Sequence, residues 1–317
     1  MAPAAYNAGF WSRAFAPMTT ETARGFWLAL SSYALWGLFP MYFYALRDVS
    51  PGEVLVHRVA WSMVLLLIAS SAMRGLQRWT DLLRSREALL PCVFSALLLS
   101  TNWLVYIYAV GNGMALEASL GYLINPLVSV VMAVLLLNEA LNRYQWVAIV
   151  LAVIGVGFLV VKVGELPWVA LTLAFLFGTY GLIHKKYAID AFSGFTLETV
   201  LLTPVALSYL GYLFFTGQNA FLTAGWQTDG LLLAAGIVTS VPLLLFLMSL
   251  PQLRLSTVGI LQYIAPSLQF LVAVYVLGES FSRDKFIAFC IIWLGLLVFS
   301  GDVIRQRLRK NRLQTQA

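Results

Sequence analysis

Long runs of apolar residues, almost free of charged side chains, dominate this sequence. A helix needs roughly 20 apolar residues to cross the hydrocarbon core of a bilayer. Segments of about that length cover 25–46, 52–73, 87–110, 115–137, 143–163, 166–184, 196–216, 229–249, 255–277 and 284–303. Charged residues make up 11% of the chain, whereas soluble domains contain about 25%. The sequence therefore predicts an all-α integral membrane protein with ten transmembrane helices.

Basic residues are distributed unevenly over the loops that join these segments. If the N-terminus lies in the cytoplasm, fifteen of the 20 Lys and Arg fall on the cytoplasmic side and four on the other, with Arg58 inside a segment. The positive-inside rule favours this orientation. We therefore expect a multi-pass inner-membrane protein with both termini cytoplasmic, an N-terminal tail over 1–24 and a basic tail over 304–317. That basic tail is interpreted as a topology anchor and not as a nucleic-acid patch.

The chain also contains an internal repeat. A shift of 140 residues aligns 124–155 with 264–295, and nine of the 32 positions are identical, including proline, glutamate, arginine and glycine pairs. The repeat divides the segments into two groups of five, over 25–165 and 166–303. Because five is odd, the second group must enter the membrane from the opposite side. Inverted repeats of this kind are typical of secondary transporters, in which a central site opens to each side in turn.

Several motifs carry a family resemblance. They are SSYALWGLFPMYFYAL, EVLVHRVAWS, NWLVYIYAVGNGMALEASLGYLINPLVSVV, RLSTVGILQYIAPSLQFL and LGE. Together they resemble the RarD-type permeases of the EamA group, within the drug/metabolite transporter superfamily. The His-Arg pair and EASLGYLINPL are the most specific of these motifs, and the resemblance covers the chain beyond its N-terminal tail. It implies a ten-helix inner-membrane permease with an inverted five-helix repeat.

Glu53, His57 and Arg58 lie at the start of the second segment. Glu53 and His57 are four residues apart and share one helix face, whereas Arg58 points about 100° away. A charge inside a membrane is costly, and two interpretations are open. Either Arg58 snorkels outward while His57 hydrogen-bonds Glu53 and fixes the helix end, or the His-Arg pair faces a cavity, where it contacts an anionic or polar solute or relays a proton.

Matched prolines in the fourth and ninth segments predict a second group of site residues. Pro126 and Pro266 have no backbone N–H, so each frees a carbonyl that protein or cavity water must satisfy. Interrupted helices at corresponding positions of two halves indicate a central transport site. The polar residues beside these prolines are Tyr122, Asn125, Gln262 and Tyr263. A pair of packed kinks is the alternative.

Four residues elsewhere in the segments are further candidates. Asn102 and Trp103 lie in the middle of the third segment, where they either line the solute pathway or bind a neighbouring helix. Glu117 and Glu198 lie near segment ends and are candidates for a coupling or pairing carboxylate. Solvation at the membrane interface is the simpler interpretation of both.

Glu139 and Glu279 close the fourth and ninth segments, and each is followed four residues later by an arginine. Carboxylates at such positions stabilise helix N-termini. We interpret both as structural residues that cap the next helix or brace the turn.

Enzyme signatures such as HExxH, GxSxG or a phosphate-binding P-loop do not occur in the sequence. No catalytic residue, metal site or cofactor is therefore predicted, and energy is expected from an ion gradient or from exchange. The predicted partners are a small-molecule substrate, membrane lipid, and protons or another coupling ion, without nucleic acid; no oligomeric state is predicted. The function that fits best is a permease for a small polar or amphipathic metabolite or drug. The alternatives are a broad-specificity drug exporter of the same fold and a membrane binding protein or sensor that transports nothing.

Overall fold

The structure is a computed structural model, and it describes residues 20–72, 76–137, 141–164, 166–187, 189–249, 252–253 and 261–316. Every regular element within these ranges is helical, which confirms the all-α prediction there. The helices are α1 (Thr20–Gly37), α2 (Phe39–Ala45), α3 (Pro51–Ala72), α4 (Leu76–Arg84), α5 (Arg86–Gly111), α6 (Ala115–Leu137), α7 (Arg143–Val163), α8 (Trp168–Lys186), α9 (Ala191–Thr216), α10 (Trp226–Ser249), α11 (Ile264–Leu271), which continues as a π-helical turn (Val272–Val276), and α12 (Arg283–Gln316).

Seven of the described helices are long and apolar enough to cross a membrane. They are α3, α5, α6, α7, α9, α10 and the first part of α12. Two shorter apolar helices, Trp168–His184 and Ile264–Val276, fall below that length. By length and composition, the chain is thus a multi-pass membrane protein.

The helices differ from the predicted segments in three places. The first predicted segment is divided into α1 and α2, and Pro40, which has no N–H to donate, lies in the first turn of α2. The expected loop after the second segment contains α4, whose Trp79 and Leu82 pack near the start of α9. The last helix continues through the predicted tail as far as Gln316.

Contacts between helices follow the sequence repeat. Helix α6 packs along α8, and their repeat counterparts α11 and α1 pack together as well. Helix α5 packs on α8 in the same way as α10 packs on α1. The pairs α3–α9 and α7–α12 each join a helix to its own counterpart in the other half. The two halves are therefore interleaved, and each contributes helices to the same interior.

Small residues from both halves allow α7 and α12 to approach closely. A Cβ atom added at Gly155 would lie 2.6 Å from Cγ1 of Ile292, and one added at Gly295 would lie 3.0 Å from the carbonyl oxygen of Ala148. Ala148 and Ala288 are fully buried. The two glycines are 140 residues apart, as are the two alanines, so the repeat preserves the small residues that membrane helices need for close packing.

Candidate functional site

Arg58 is buried between helices of both halves. Its side chain is 5% exposed, and its Nε atom donates a 2.8 Å hydrogen bond to Oγ1 of Thr239 in α10. The guanidinium carbon lies 4.0 Å from the centre of the Trp103 ring in α5, and 5.4 and 5.7 Å from the rings of Phe43 and Phe39 in α2. A cation over aromatic faces is stabilised by their quadrupoles, most strongly when it is desolvated.

Tyrosines complete the surroundings of this guanidinium. Tyr42, Tyr106 and Tyr122 all lie within electrostatic range of Arg58. The hydroxyl of Tyr106 is buried and has no hydrogen-bond partner among the described residues. The hydroxyl of Tyr122 donates to Oδ1 of Asn102 at 3.0 Å. The site thus combines one cation, an aromatic wall and phenolic hydroxyls.

No described carboxylate lies within ion-pair distance of Arg58. Burying a charge without a partner is costly, and in membranes such charges pair with other groups or face a cavity. Hydrogen bonding to Thr239 and stacking on Trp103 offset only part of that cost. The arrangement can therefore accept an anionic group, because a guanidinium binds a carboxylate or phosphate through two parallel hydrogen bonds.

Asn102 joins this site to the second half of the chain. It is 1% exposed, and its Nδ2 donates to the carbonyl oxygen of Leu173 in α8 at 3.1 Å. Its other side-chain atom, Oδ1, accepts from Tyr122. Asn102 therefore binds a neighbouring helix and at the same time orients a tyrosine beside Arg58.

His57 lies in different surroundings from Arg58, although the two are adjacent in sequence. Its Nδ1 accepts from Nε1 of Trp61 at 3.2 Å, and its ring centre is 4.8 Å from that of Phe221. With Glu53 and apolar residues of α3 and α9, it lines a groove of about 290 Å³. Its Nε2 is buried without a partner among the described residues. The His-Arg pair does not converge on one site in this structure.

Glu53 does not hydrogen-bond His57, in contrast to one of the sequence interpretations. The Glu53 carboxylate is 1% exposed and accepts from the backbone N–H of Ala220, at 2.8 and 2.9 Å to its two oxygens, and from that of Phe221 at 2.9 Å. These N–H groups belong to the connection between α9 and α10. Glu53 therefore anchors a connection of the second half to the start of α3.

Two more carboxylates cap helices in the opposite half. Glu117 accepts from the backbone N–H of Val169 at 2.8 Å, at the start of α8. Glu279 accepts from those of Ala115 and Leu116 at 2.6 and 2.8 Å, at the start of α6. Glu279 thus caps a distant helix instead of the next one, because α6 begins beside it in space. Burial raises the pKa of the Glu279 carboxyl, and the two backbone hydrogen bonds oppose this rise.

Glu279→Gln is expected to lower the melting temperature of the purified protein. The glutamine side chain has only one oxygen that can accept a hydrogen bond, and its NH₂ group faces the other of the two backbone N–H groups. The change should therefore lower the free energy of unfolding by about 1 kcal/mol. Glu87→Gln is the control, because Glu87 is exposed in the first turn of α5. Equal melting temperatures for the two variants would contradict the capping role.

Of the four polar residues beside the matched prolines, Tyr122 lies beside Arg58, whereas no described contact joins Asn125, Gln262 or Tyr263 to Arg58. Pro126 lies inside α6, which is continuous, whereas Pro266 lies in the first turn of α11. The Oδ1 atom of Asn125 is buried without a described partner. Gln262 and Tyr263 are half-buried just before α11. Glu139, the repeat partner of Glu279, lies outside the described residues.

Glu198 is fully buried in a polar cluster with His184, a residue that the sequence did not single out. The Nε2 atom of His184 lies 2.7 Å from Oε1 of Glu198. The hydroxyl of Tyr180 donates to Oε2 at 3.1 Å, and that of Ser95 donates to Oε1. For Glu198, although not for His184, the sequence contains a signal: a shift of 141 residues aligns Glu198 with His57.

Known proteins resemble this chain over most of its length. The EamA-like transporter family model matches residues 23–161 and again 167–301. Protein RarD of Escherichia coli is 41% identical over 292 residues, which is 92% of this chain and 99% of that one. A protein of Vibrio cholerae named as an uncharacterized transporter is 43% identical over 289 residues, 91% of this chain and 96% of that one. The chloramphenicol-sensitive protein RarD of Pseudomonas aeruginosa is 32% identical over 301 residues, 92% of this chain and 97% of that one.

A crystal structure with 20% sequence identity superposes with a TM-score of 0.53, over 92% of this chain and 99% of that chain. At that identity the match shows the fold alone. Taken with the helices and the buried polar site, these matches define a membrane transporter of the drug/metabolite type. The chain belongs to the EamA-like transporter family, and within it to the RarD-type permeases.

Proposed function

We propose that the protein is a secondary transporter of the inner membrane that moves a small polar or amphipathic solute by alternating access. The observation that carries the proposal is the buried guanidinium of Arg58, without a described carboxylate partner. Trp103 of the first half and Thr239 of the second half both contact it. A site built from both halves changes its access when the halves move relative to each other.

The solute carries an anionic group in this proposal. A carboxylate would accept two parallel hydrogen bonds from the outer nitrogens of Arg58. The hydroxyl of Tyr106, which has no partner among the described residues, would supply a third donor. Trp103, Phe39 and Phe43 form the apolar wall against the rest of the solute. His57 is assigned to the lateral groove between α3 and α9, outside the solute site.

Ten membrane crossings in two oppositely inserted halves belong to the same proposal. Two matches to one family model, over 23–161 and 167–301, support a duplication. The repeat-related helix contacts and the shared small residues of α7 and α12 support it as well. The positive-inside rule then favours cytoplasmic termini.

Two rival functions make different predictions for purified protein in liposomes. A broad-specificity drug exporter would exchange chloramphenicol, and a sensor would bind a solute without exchanging it. Our proposal expects one or more of a panel of amino acids and of mono- and dicarboxylates to raise the melting temperature, since a ligand of the native state stabilises it. The same compound, radiolabelled, should exchange across the membrane in counterflow. Stabilisation without exchange would favour the sensor.

Water access beside the two matched prolines provides a second test. In a protein lacking Cys92 and Cys290, cysteine at Asn125 or at Gln262 is expected to react with a small polar maleimide, because the proposal places solvated space where α6 meets the start of α11. Val153→Cys is the control. Its side chain is 65% exposed on α7, where lipid would cover it and exclude the reagent. If neither site reacts from either side of the membrane, with or without the stabilising compound, both residues lie in packed protein.

A further inference from the structure

The cluster around Glu198 has no role in the solute site described above. Glu198 and Gly194 are four residues apart on α9 and face His184 of α8. A Cβ atom at Gly194 would lie 2.8 Å from Cε1 of His184, so only glycine leaves room for the imidazole. The ring of Tyr180 also lies against this imidazole, with their centres 4.4 Å apart. The packing thus holds an imidazole and a carboxylate in direct contact.

The described groups that neighbouring helices place around His184 and Glu198 are uncharged. Helix α5 contributes Ser95 and the buried thiol of Cys92. Helix α4 contributes Trp79 and Leu82, and the part of α3 that packs nearby contributes Leu66; none of these three ionises.

Two described charged side chains near the ends of α8 and α9 are directed elsewhere. Asp190, at the N-cap of α9, accepts from the backbone and hydroxyl of Ser193. Lys186 of α8 is exposed and lies over the ring of Tyr187. Among the described residues, the proton of this buried cluster is therefore shared between His184 and Glu198.

We propose that His184 and Glu198 form the proton-binding site of the transporter, a role that rests on the proposed transport function. With one proton between imidazole and carboxylate the cluster is neutral. When that proton passes to water, a neutral imidazole and a buried carboxylate remain, and the cluster carries one negative charge. An uncompensated buried carboxylate is unstable in an apolar interior. Loss of the proton therefore favours separation of α8 from α9 and entry of water.

Aromatic contacts connect this proton site to Arg58. Phe177 lies between Tyr122 and Tyr180, with ring centres 6.1 and 5.8 Å away. Along a second route, the Trp103 ring that stacks on Arg58 contacts the ring of Phe195, with their centres 5.8 Å apart. A movement of α8 or α9 that follows proton loss therefore reaches residues beside the solute site.

Proton binding can be tested without any solute. In ¹⁵N-histidine-labelled protein, the side-chain signals of His184 are assigned by their loss in His184→Gln. We expect these signals to change with pH, because the proposed site exchanges its proton with water. They should respond to pH differently in Glu198→Gln, where the carboxylate that shares the proton is absent. A His184 signal that does not titrate, or that titrates identically in both proteins, would overturn the proposal.

Coupling is tested in proteoliposomes with the radiolabelled carboxylate that stabilises wild-type protein but not Arg58→Ala. Both His184→Gln and Glu198→Gln should lose uptake driven by a pH gradient and retain counterflow exchange, which requires no net proton movement. Thr199→Val should retain both activities. Thr199 is a buried neighbour, and the one hydrogen bond described for its hydroxyl goes to the carbonyl oxygen of Phe195. Gradient-driven uptake that survives in both variants would refute the coupling role. If wild-type protein exchanges no compound, the transport proposal fails and the coupling role fails with it, while the histidine titration still decides proton binding.

Discussion

Arg58→Ala is expected to insert into the membrane and to lose affinity for the carboxylate that binds wild-type protein. Hydrogen bonds to charged groups contribute about 1.5–3 kcal/mol, and each 1.4 kcal/mol corresponds to a factor of about ten in affinity. The dissociation constant should therefore rise by about ten- to 150-fold. Arg58→Lys should retain part of the affinity, since an ammonium group keeps the charge but lacks the planar fork. Thermal shift and equilibrium binding on the same preparations measure this effect.

Arg47→Ala is the matched control for Arg58→Ala. Arg47 follows α2 and is exposed, with its guanidinium carbon 4.4 Å from the centre of the Tyr44 ring. Arg47 makes the same kind of cation–aromatic contact outside the proposed site, so Arg47→Ala should leave the affinity for the carboxylate unchanged. Normal affinity in Arg58→Ala, combined with a lower melting temperature, would make Arg58 a structural anchor and refute the proposed solute site.

Gly236→Ala is expected to destabilise the protein strongly, because Gly236 lies against the backbone of α3. A Cβ atom there would lie 2.5 Å from the carbonyl carbon of Trp61 and 2.7 Å from its oxygen. No side-chain rotation relieves a contact with backbone, so α3 and α10 must separate. Overpacking of this kind costs about 1–3 kcal/mol. Separation of α3 from α10 would also lengthen the hydrogen bond between Arg58 and Thr239, so solute affinity should fall along with the melting temperature.

Gly230→Ala tests whether the effect of Gly236→Ala comes from packing. Gly230 lies in the same helix, and a Cβ atom there meets nothing within 4 Å. Its replacement should leave the melting temperature unchanged or raise it, since alanine favours a helix over glycine by about 1 kcal/mol. Similar melting temperatures for the two variants would show that α3 and α10 tolerate a wider spacing.

Seven of the ten predicted segments correspond to described helices that are long and apolar enough to cross a membrane, because bilayer thickness sets a minimum length that a run of apolar residues reveals. The sequence does not predict α4, because this helix is short and no long apolar run marks it. Of its described side chains, Trp79 and Leu82 pack against the bundle. The break between α1 and α2 depends on Pro40, and a proline near the middle of an apolar run is equally compatible with a kinked continuous helix.

Residues of the proposed site can be recognised in the sequence where a polar group interrupts an apolar run, as Arg58 and Asn102 do. The residues that contact Arg58 cannot be recognised in this way. Thr239 and Phe43 are of types that occur many times in the apolar segments, and nothing in the local sequence sets these two apart. His184 was overlooked because it directly precedes Lys185 and Lys186, in a position typical of a solvated helix end. The bonds of Glu279 to α6 depend on which helix ends meet across the two halves, and local sequence does not encode that information.

Opposite insertion of the two halves is tested most directly by reporter insertions at Thr22, Gly164 and Gln314. Gly164 ends α7 and lies between the two matches to the family model. Five crossings in each half predict cytoplasmic reporters at Thr22 and Gln314 and a periplasmic reporter at Gly164. A reporter at Gly164 on the same side as Thr22 would mean an even number of crossings in the first half. The halves would then be parallel, and alternating access by exchange of two inverted halves would be excluded.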